Sequence, residues 1–162
     1  MILPILRWPD PILSQPCAPA VLSADLRALA GDMFETMYAA PGRGLAAPQV
    51  GRPVRLFVMD VGWKEGAPSP VVAVNPEILW FSDTRLVGPE GCLSIPGPTT
   101  MVARAEAVRM RWSDLDGVAY EELLTGLAAI CAQHEYDHLD GVLTLDRLSP
   151  EARALAEAEV VA

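Results

Sequence analysis

Apolar positions recur at three- and four-residue intervals through Leu26, Leu29, Met33 and Met37, which predicts a helix with one buried face over 24–40. Ser23 and Asp25 supply its N-terminal cap, and Pro41 and Gly42 stop it. Before it, "LRWPDPILSQPCAPA" is too rich in proline for either period and is expected to be extended. After it, "GRGLAAPQVGRP" reads as a glycine-rich loop whose backbone can approach a neighbour closely. The period then changes. "VRLFVMDV", "VVAVNPEIL" and "DTRLVG" read as strands, with a loop at "GWKEGAPSP", and "PEGCLSIPGP" interrupts the pattern. "MVARAEAVRMRWSDLDGVAYEELL" alternates enough for a hairpin turning at "SDLDG", where Asp116 and Gly117 supply the turn chemistry. "LTGLAAICAQHEYDHLDG" returns to helical spacing and ends near Gly141. "SPEARALAEAEVVA" forms a short terminal helix, capped by Ser149 with Pro150 at its first position.

These elements fit one domain of mixed helix and strand over 1–162, with no internal repeat and no linker. Composition agrees: 51% hydrophobic residues are enough for a packed core. Lys+Arg total 12 against Asp+Glu 21, and a net charge of -9 argues against general nucleic-acid binding. No apolar stretch reaches the length of a membrane span, and the proline-broken start lacks the marks of a signal peptide, so a cytoplasmic location is expected. Three cysteines, Cys17, Cys92 and Cys131, suit a reducing compartment.

Both histidines of the chain lie in "QHEYDHLDG". On a helix His134 and His138 fall about 40° and one turn apart, so two imidazoles can converge on one metal ion. Glu135 points about 60° aside from His138, badly placed as a ligand but well placed to take a proton from a metal-bound water. The third ligand lies elsewhere. Cys131 shares the helix face but sits roughly 7.5 Å along the axis from the midpoint of the histidine pair, too far for a thiolate–metal bond. Cys17 lies among prolines with no polar company. Cys92, in "EGCLS" beside Gly91 and Glu90, is favoured on spacing, with aspartates and glutamates still open.

Three segments in this order, "GRGLAAPQ", "EGCLS" and "QHEYDHLDG", resemble peptide deformylases, and the likeness runs from "PDPIL" to about "LDRLSP". The resemblance implies an α+β fold: mixed and antiparallel sheets packed around a central His-Glu-x-x-His helix, with an N-terminal helix and a short C-terminal one. It implies that Cys92, His134 and His138 bind one divalent ion, natively Fe2+, with Zn2+, Ni2+ or Co2+ accepted. The implied reaction removes the formyl group from the formyl-methionine of nascent proteins. Glu135 moves the proton, and the Gln49 amide and the Leu93 backbone N–H hold the oxyanion. Leu127, Ile130 and Cys131 line a pocket for the methionine, and Gly42 and Gly44 offer backbone to an extended peptide. Glu90 pairs with Arg104 to hold the cysteine loop, and Asp137 braces the site from outside.

Two features depart from the pattern. Arg43 stands between the two glycines where an aliphatic residue is usual, which bears on peptide preference. The terminal helix is short, with Glu151, Glu157 and Glu159 against Arg153, so the ribosome docking of members with a longer basic helix is not carried over. A generic metallopeptidase would need neither "GRGLAAPQ" nor "EGCLS". A non-catalytic descendant, a structural-metal or peptide-binding module, would be expected to lack Glu135, Gln49 or Cys92, and all three are present.

Overall fold

The computed structural model describes residues 1–161. Among them, a five-stranded antiparallel sheet has the order β1-β2-β3-β6-β7, and β4 and β5 form a separate two-stranded sheet. The strands are β1 (Gly44–Ala46), β2 (Leu56–Met59), β3 (Val71–Phe81), β4 (Arg85–Cys92), β5 (Ile95–Ala105), β6 (Ala107–Ser113) and β7 (Ala119–Thr125). The helices are α1 (Ala24–Ala39), α2 (Gly126–Leu139) and α3 (Pro150–Glu159).

The large sheet lies between two helices. Ser23 Oγ accepts from the Leu26 N–H to start α1, whose Leu26, Leu29, Met33 and Met37 pack on Leu45, Leu56, Val58 and Val74. On the other face Phe57, Met59, Met110 and Trp112 pack against Ala129, Ala132 and Leu139 of α2. Strand β2 is therefore buried on both faces, which is why "LFVM" is a continuous apolar run. A third cluster joins Leu13 and Ile95 to Leu143, Leu145 and Ala156, seating α3 against the small sheet. Gly97 permits that seat, because a Cβ there would lie 2.3 Å from the Glu159 carbonyl oxygen.

The helices and the β6–β7 hairpin follow the sequence pattern closely. Asp114 Oδ1 accepts from the N–H groups of Asp116 and Val118, and Gly117 takes φ 81° in the turn. Four expectations are corrected. The proline-rich start contains one short 3-10 turn, Pro11–Ser14, capped by Asp10. The glycine-rich segment holds β1, whose three residues pair with β2 and bury Leu45 and Ala46. "PEGCLSIPGP" belongs to the β4–β5 hairpin; in a two-stranded sheet each strand has a free edge, where Pro89, Pro96 and Pro98 are tolerated. The alternating run from Met101 is divided at Glu106, where β5 leaves the small sheet and β6 enters the large one.

A candidate metal centre between a hairpin and a buried helix

Helix α2 has no solvent face along much of its length. Its buried residues include the polar Gln133, Glu135, Asp137 and His138. Such groups need partners inside the protein, and the β4–β5 hairpin supplies most of them. Gln133 makes a two-way pair with the Ala105 backbone, at 2.9 and 3.1 Å. Along β4, Glu90 and Cys92 share one face by the two-residue period of a strand. Along α2, His134 and His138 share one face by the helical period. Where the faces meet, the Cys92 Sγ and the two imidazoles place ligand atoms within 4.8 Å of one another. Cys92 Sγ lies 3.5 Å from His138 Nε2.

Glu90 fixes the orientation of the first imidazole. Burial pushes its carboxyl upward, but hydrogen bonds from His134 and Arg104 outweigh this and hold it at about 2. It is thus an acceptor only. His134 Nδ1, 2.9 Å from Glu90 Oε1, must carry the proton, which leaves Nε2 to face the cluster. Arg104 forks onto both Glu90 oxygens at 2.9 Å and reaches Asp137 Oδ2 at 2.6 Å. Arg147 closes the chain on Asp137, at 2.7 and 3.0 Å. Burial, reinforced by the charges of His134 and Arg104, depresses His138 well below the usual histidine range, so its imidazole is neutral and free to ligate.

Glu135 is 4% exposed, and its Oε1 finds no hydrogen-bond partner in the protein. Burial lifts its carboxyl to about 7 against the opposing charge of His134. Gly44 is required beside it, since a Cβ there would lie 2.5 Å from Glu135 Oε2 and 2.8 Å from Cys131 Sγ. Gln49 is 1% exposed, with Oε1 accepting from the Ala46 N–H at 2.9 Å. Its Nε2 is thereby turned to Ser94 Oγ at 3.0 Å and Cys92 Sγ at 3.8 Å. Leu93 sits in the turn between β4 and β5, outside the Cys92–Ile95 pairing.

A cleft of about 490 Å³ opens onto this cluster. Gly42, Gly44, Gln49, Cys92, Leu93, His134 and Glu135 line it, and so do Leu127, Ile130 and Cys131. Leu127 is 46% exposed at the rim, whereas Cys131 is buried and donates weakly to the Arg43 carbonyl at 3.6 Å. Burial pushes the Cys131 thiol well up, so it remains a neutral wall. Cys17 lies in the core between sheet and α2. The Gly42 carbonyl already accepts from Trp63 Nε1 at 2.8 Å. Every sequence-predicted site residue falls at this cleft or directly behind it. Sequence reasoning missed Ser94, Arg147 and the contact of Glu90 with His134, none of which has a spacing that announces it.

The donor set fits a divalent ion: one sulfur and two neutral-capable imidazoles on rigid elements, one imidazole oriented from behind by a carboxylate. An α+β fold with such a cluster beside an unpartnered buried glutamate defines a metal-dependent hydrolase. Comparison with known proteins narrows the class. The family model for polypeptide deformylase matches residues 2–154. A peptide deformylase of Mesorhizobium japonicum is 48% identical over 149 residues, covering 91% of this chain and 85% of that protein. The crystal structure of a peptide deformylase from Legionella pneumophila superposes with a TM-score of 0.92 at 41% identity, covering 98% of this chain and 93% of that one. A Met-Ala-Ser-bound class I type b peptide deformylase from Acinetobacter baumannii gives 0.85 at 36% identity, covering 91% and 99%. The chain belongs to the polypeptide deformylase family, hydrolases that remove the N-terminal formyl group from nascent peptides. No helix among the described residues is long and apolar enough to cross a membrane.

Proposed function

We propose that Cys92, His134 and His138 hold the ion, that the native ion is Fe2+ with Zn2+, Ni2+ or Co2+ accepted, and that Glu135 is the general base. The observation that carries this reading is the convergence of three ligand atoms within 4.8 Å beside a buried glutamate oxygen without a partner. When bound, the ion supplies Lewis acidity toward water and the formyl oxygen. Glu135 Oε1 takes the proton from the attacking water and returns it to the departing amine. Gln49 Nε2, aimed by the bond from Ala46 N–H to its Oε1, and the Leu93 backbone N–H receive the oxyanion. Such preorganised donors are each worth about 3–4 kcal/mol of barrier.

The substrate is the N-formylmethionyl end of a nascent chain, and the Met-Ala-Ser bound by the Acinetobacter relative is the kind of peptide left once that formyl group is removed. Leu127, Ile130 and Cys131 form the wall for the methionine side chain. Gly44 belongs to an edge strand of the large sheet, so an extended peptide can add along it, with Gly42 offering the remaining lone pair of its carbonyl, since its N–H is bonded to Met37. Glu90, Arg104 and Asp137 hold the ligands in place from behind. Action on nascent chains fits a cytoplasmic location. Docking through α3 is not part of the proposal, because Arg153 there is committed to Asp146 and Glu157.

The test is formate release from formyl-Met-Ala-Ser by protein prepared anaerobically with Fe2+ or Ni2+. Glu135→Ala is expected to abolish turnover while the ion stays bound. Loss of the ion in that variant would refute the role given to Glu135, and no release by the metal-loaded native protein would sink the reading altogether.

A further inference from the structure

The cleft mouth carries charge of one sign. Among the residues lining it are two cations, Arg43 and Lys64, and two acids, Glu90 and Glu135. Both acids are withdrawn: Glu90 is 7% exposed and locked to Arg104 and His134, and Glu135 is 4% exposed at the chemical end. The exposed charges of the lining itself are therefore the two cations, with Glu65 held against Arg43 just outside it, on a chain whose net charge is -9. Lys64 is the only lysine in the sequence, and no carboxylate among the described residues forms an ion pair with it. Its ammonium sits over the Trp63 ring instead, 5.8 Å from the centroid.

Arg43 is held from several sides. Its carbonyl accepts from the Asp60 N–H at 2.8 Å, and Asp60 is fixed by Tyr38 at 2.6 Å. The neighbouring Gly42 carbonyl is held by Trp63 Nε1. The guanidinium Nη2 bonds Glu65 Oε1 at 2.7 Å, but Glu65 is 60% exposed and is not a lining residue of the cleft. Arg43 Nε is buried and finds no acceptor in the protein. The guanidinium is tied to a carboxylate at one nitrogen while its side chain is 32% exposed, which leaves room on the fork for a second carboxylate.

We propose that Arg43 and Lys64 form a carboxylate-recognising subsite that favours formylated peptides with an acidic residue among the two that follow the methionine. The inference rests on the deformylase reading and extends it to substrate choice. The pair acts on binding and not on the chemical step, so the preference falls in KM.

The experiment compares C-terminally amidated formyl-Met-Ala-Asp, formyl-Met-Asp-Ala and their Asn and Lys counterparts on the metal-loaded enzyme. At low salt the better Asp peptide should exceed its Asn counterpart about fivefold in kcat/KM, and the Lys peptide should fall below both, as for a partly exposed charge pair. The advantage should shrink as salt rises to about 0.5 M. In the Arg43→Met/Lys64→Met double variant the Asp-to-Asn ratio should approach one, whereas Arg43→Lys should keep most of it. Equal kcat/KM for Asp and Asn peptides, or a preference that survives in the double variant, would overturn the subsite. Absence of formate from every peptide would instead refute the deformylase reading.

Discussion

Replacing Arg104 by Leu tests how the ligand cradle is held. Arg104 is 4% exposed and satisfies two buried carboxylates at once, through two bonds to Glu90 and one to Asp137. Removing one member of a buried ion pair generally costs about 3–5 kcal/mol, because the partner's charge stays buried. Here each carboxylate keeps one other donor, His134 Nδ1 for Glu90 and Arg147 for Asp137, so the lower end applies. The expected loss is about 3 kcal/mol, a fall of about 1.5 M in the urea midpoint for a slope near 2 kcal/mol per M. Urea unfolding should be followed with excess chelator, so that ion binding does not add to stability. The double variant Glu90→Leu/Arg104→Leu removes both charges, and its midpoint should return to within about 1 kcal/mol of the parent. It also strips His134 of its acceptor, so its affinity for the ion should drop about 10–100-fold even as stability recovers. A double variant as unstable as the sum of the two single ones would refute the argument that the unpaired charge carries the cost.

Two further outcomes follow from other contacts. Gly44→Ala forces a Cβ against Glu135 Oε2 and Cys131 Sγ, and displacement of the base should lower kcat about a hundredfold with the ion retained; unchanged kcat would show that the wall yields. Burial, then the hydrogen bond to Asp60 and its charge, raise Tyr38 from 10.0 to about 12, so its stabilising contribution is present below about pH 10 and lost as pH rises toward 12. In a tyrosinate absorbance titration the component lost in Tyr38→Phe, among the chain's three tyrosines, should be one that rises near 12, and loss of a component at ordinary tyrosine pH in that variant would contradict the Asp60 contact.

Local pattern sufficed where one element carried its own signal. The face of α1, the caps at Ser23 and Ser149, and the turn at Asp116–Gly117 are all set by residues within a few positions of one another. It failed where pairing decided. Three residues of β1 are too few to show a period, and Pro89, Pro96 and Pro98 hid a hairpin whose strands need only one bonded edge each. The same division holds at the site. The histidine spacing is a property of one helix, and geometry on that helix set Cys131 apart from the ligands. That Cys92 lies opposite the histidines depends on how the hairpin docks. The partnership of Glu90 with His134, and of Arg147 with Asp137, exists only once β4, α2 and the turn after it are together.

The polar interior of α2 bears on how the molecule opens. Gln133 is joined to Ala105, Asp137 to Arg104, and His134 to Glu90, so the helix is bonded to the hairpin at successive turns. Separating the two would strand several buried donors and acceptors in one event, and no smaller opening relieves them. Amide protons of α2 and of β4–β5 should then exchange with solvent through a single shared fluctuation and with similar protection, as one cooperative unit.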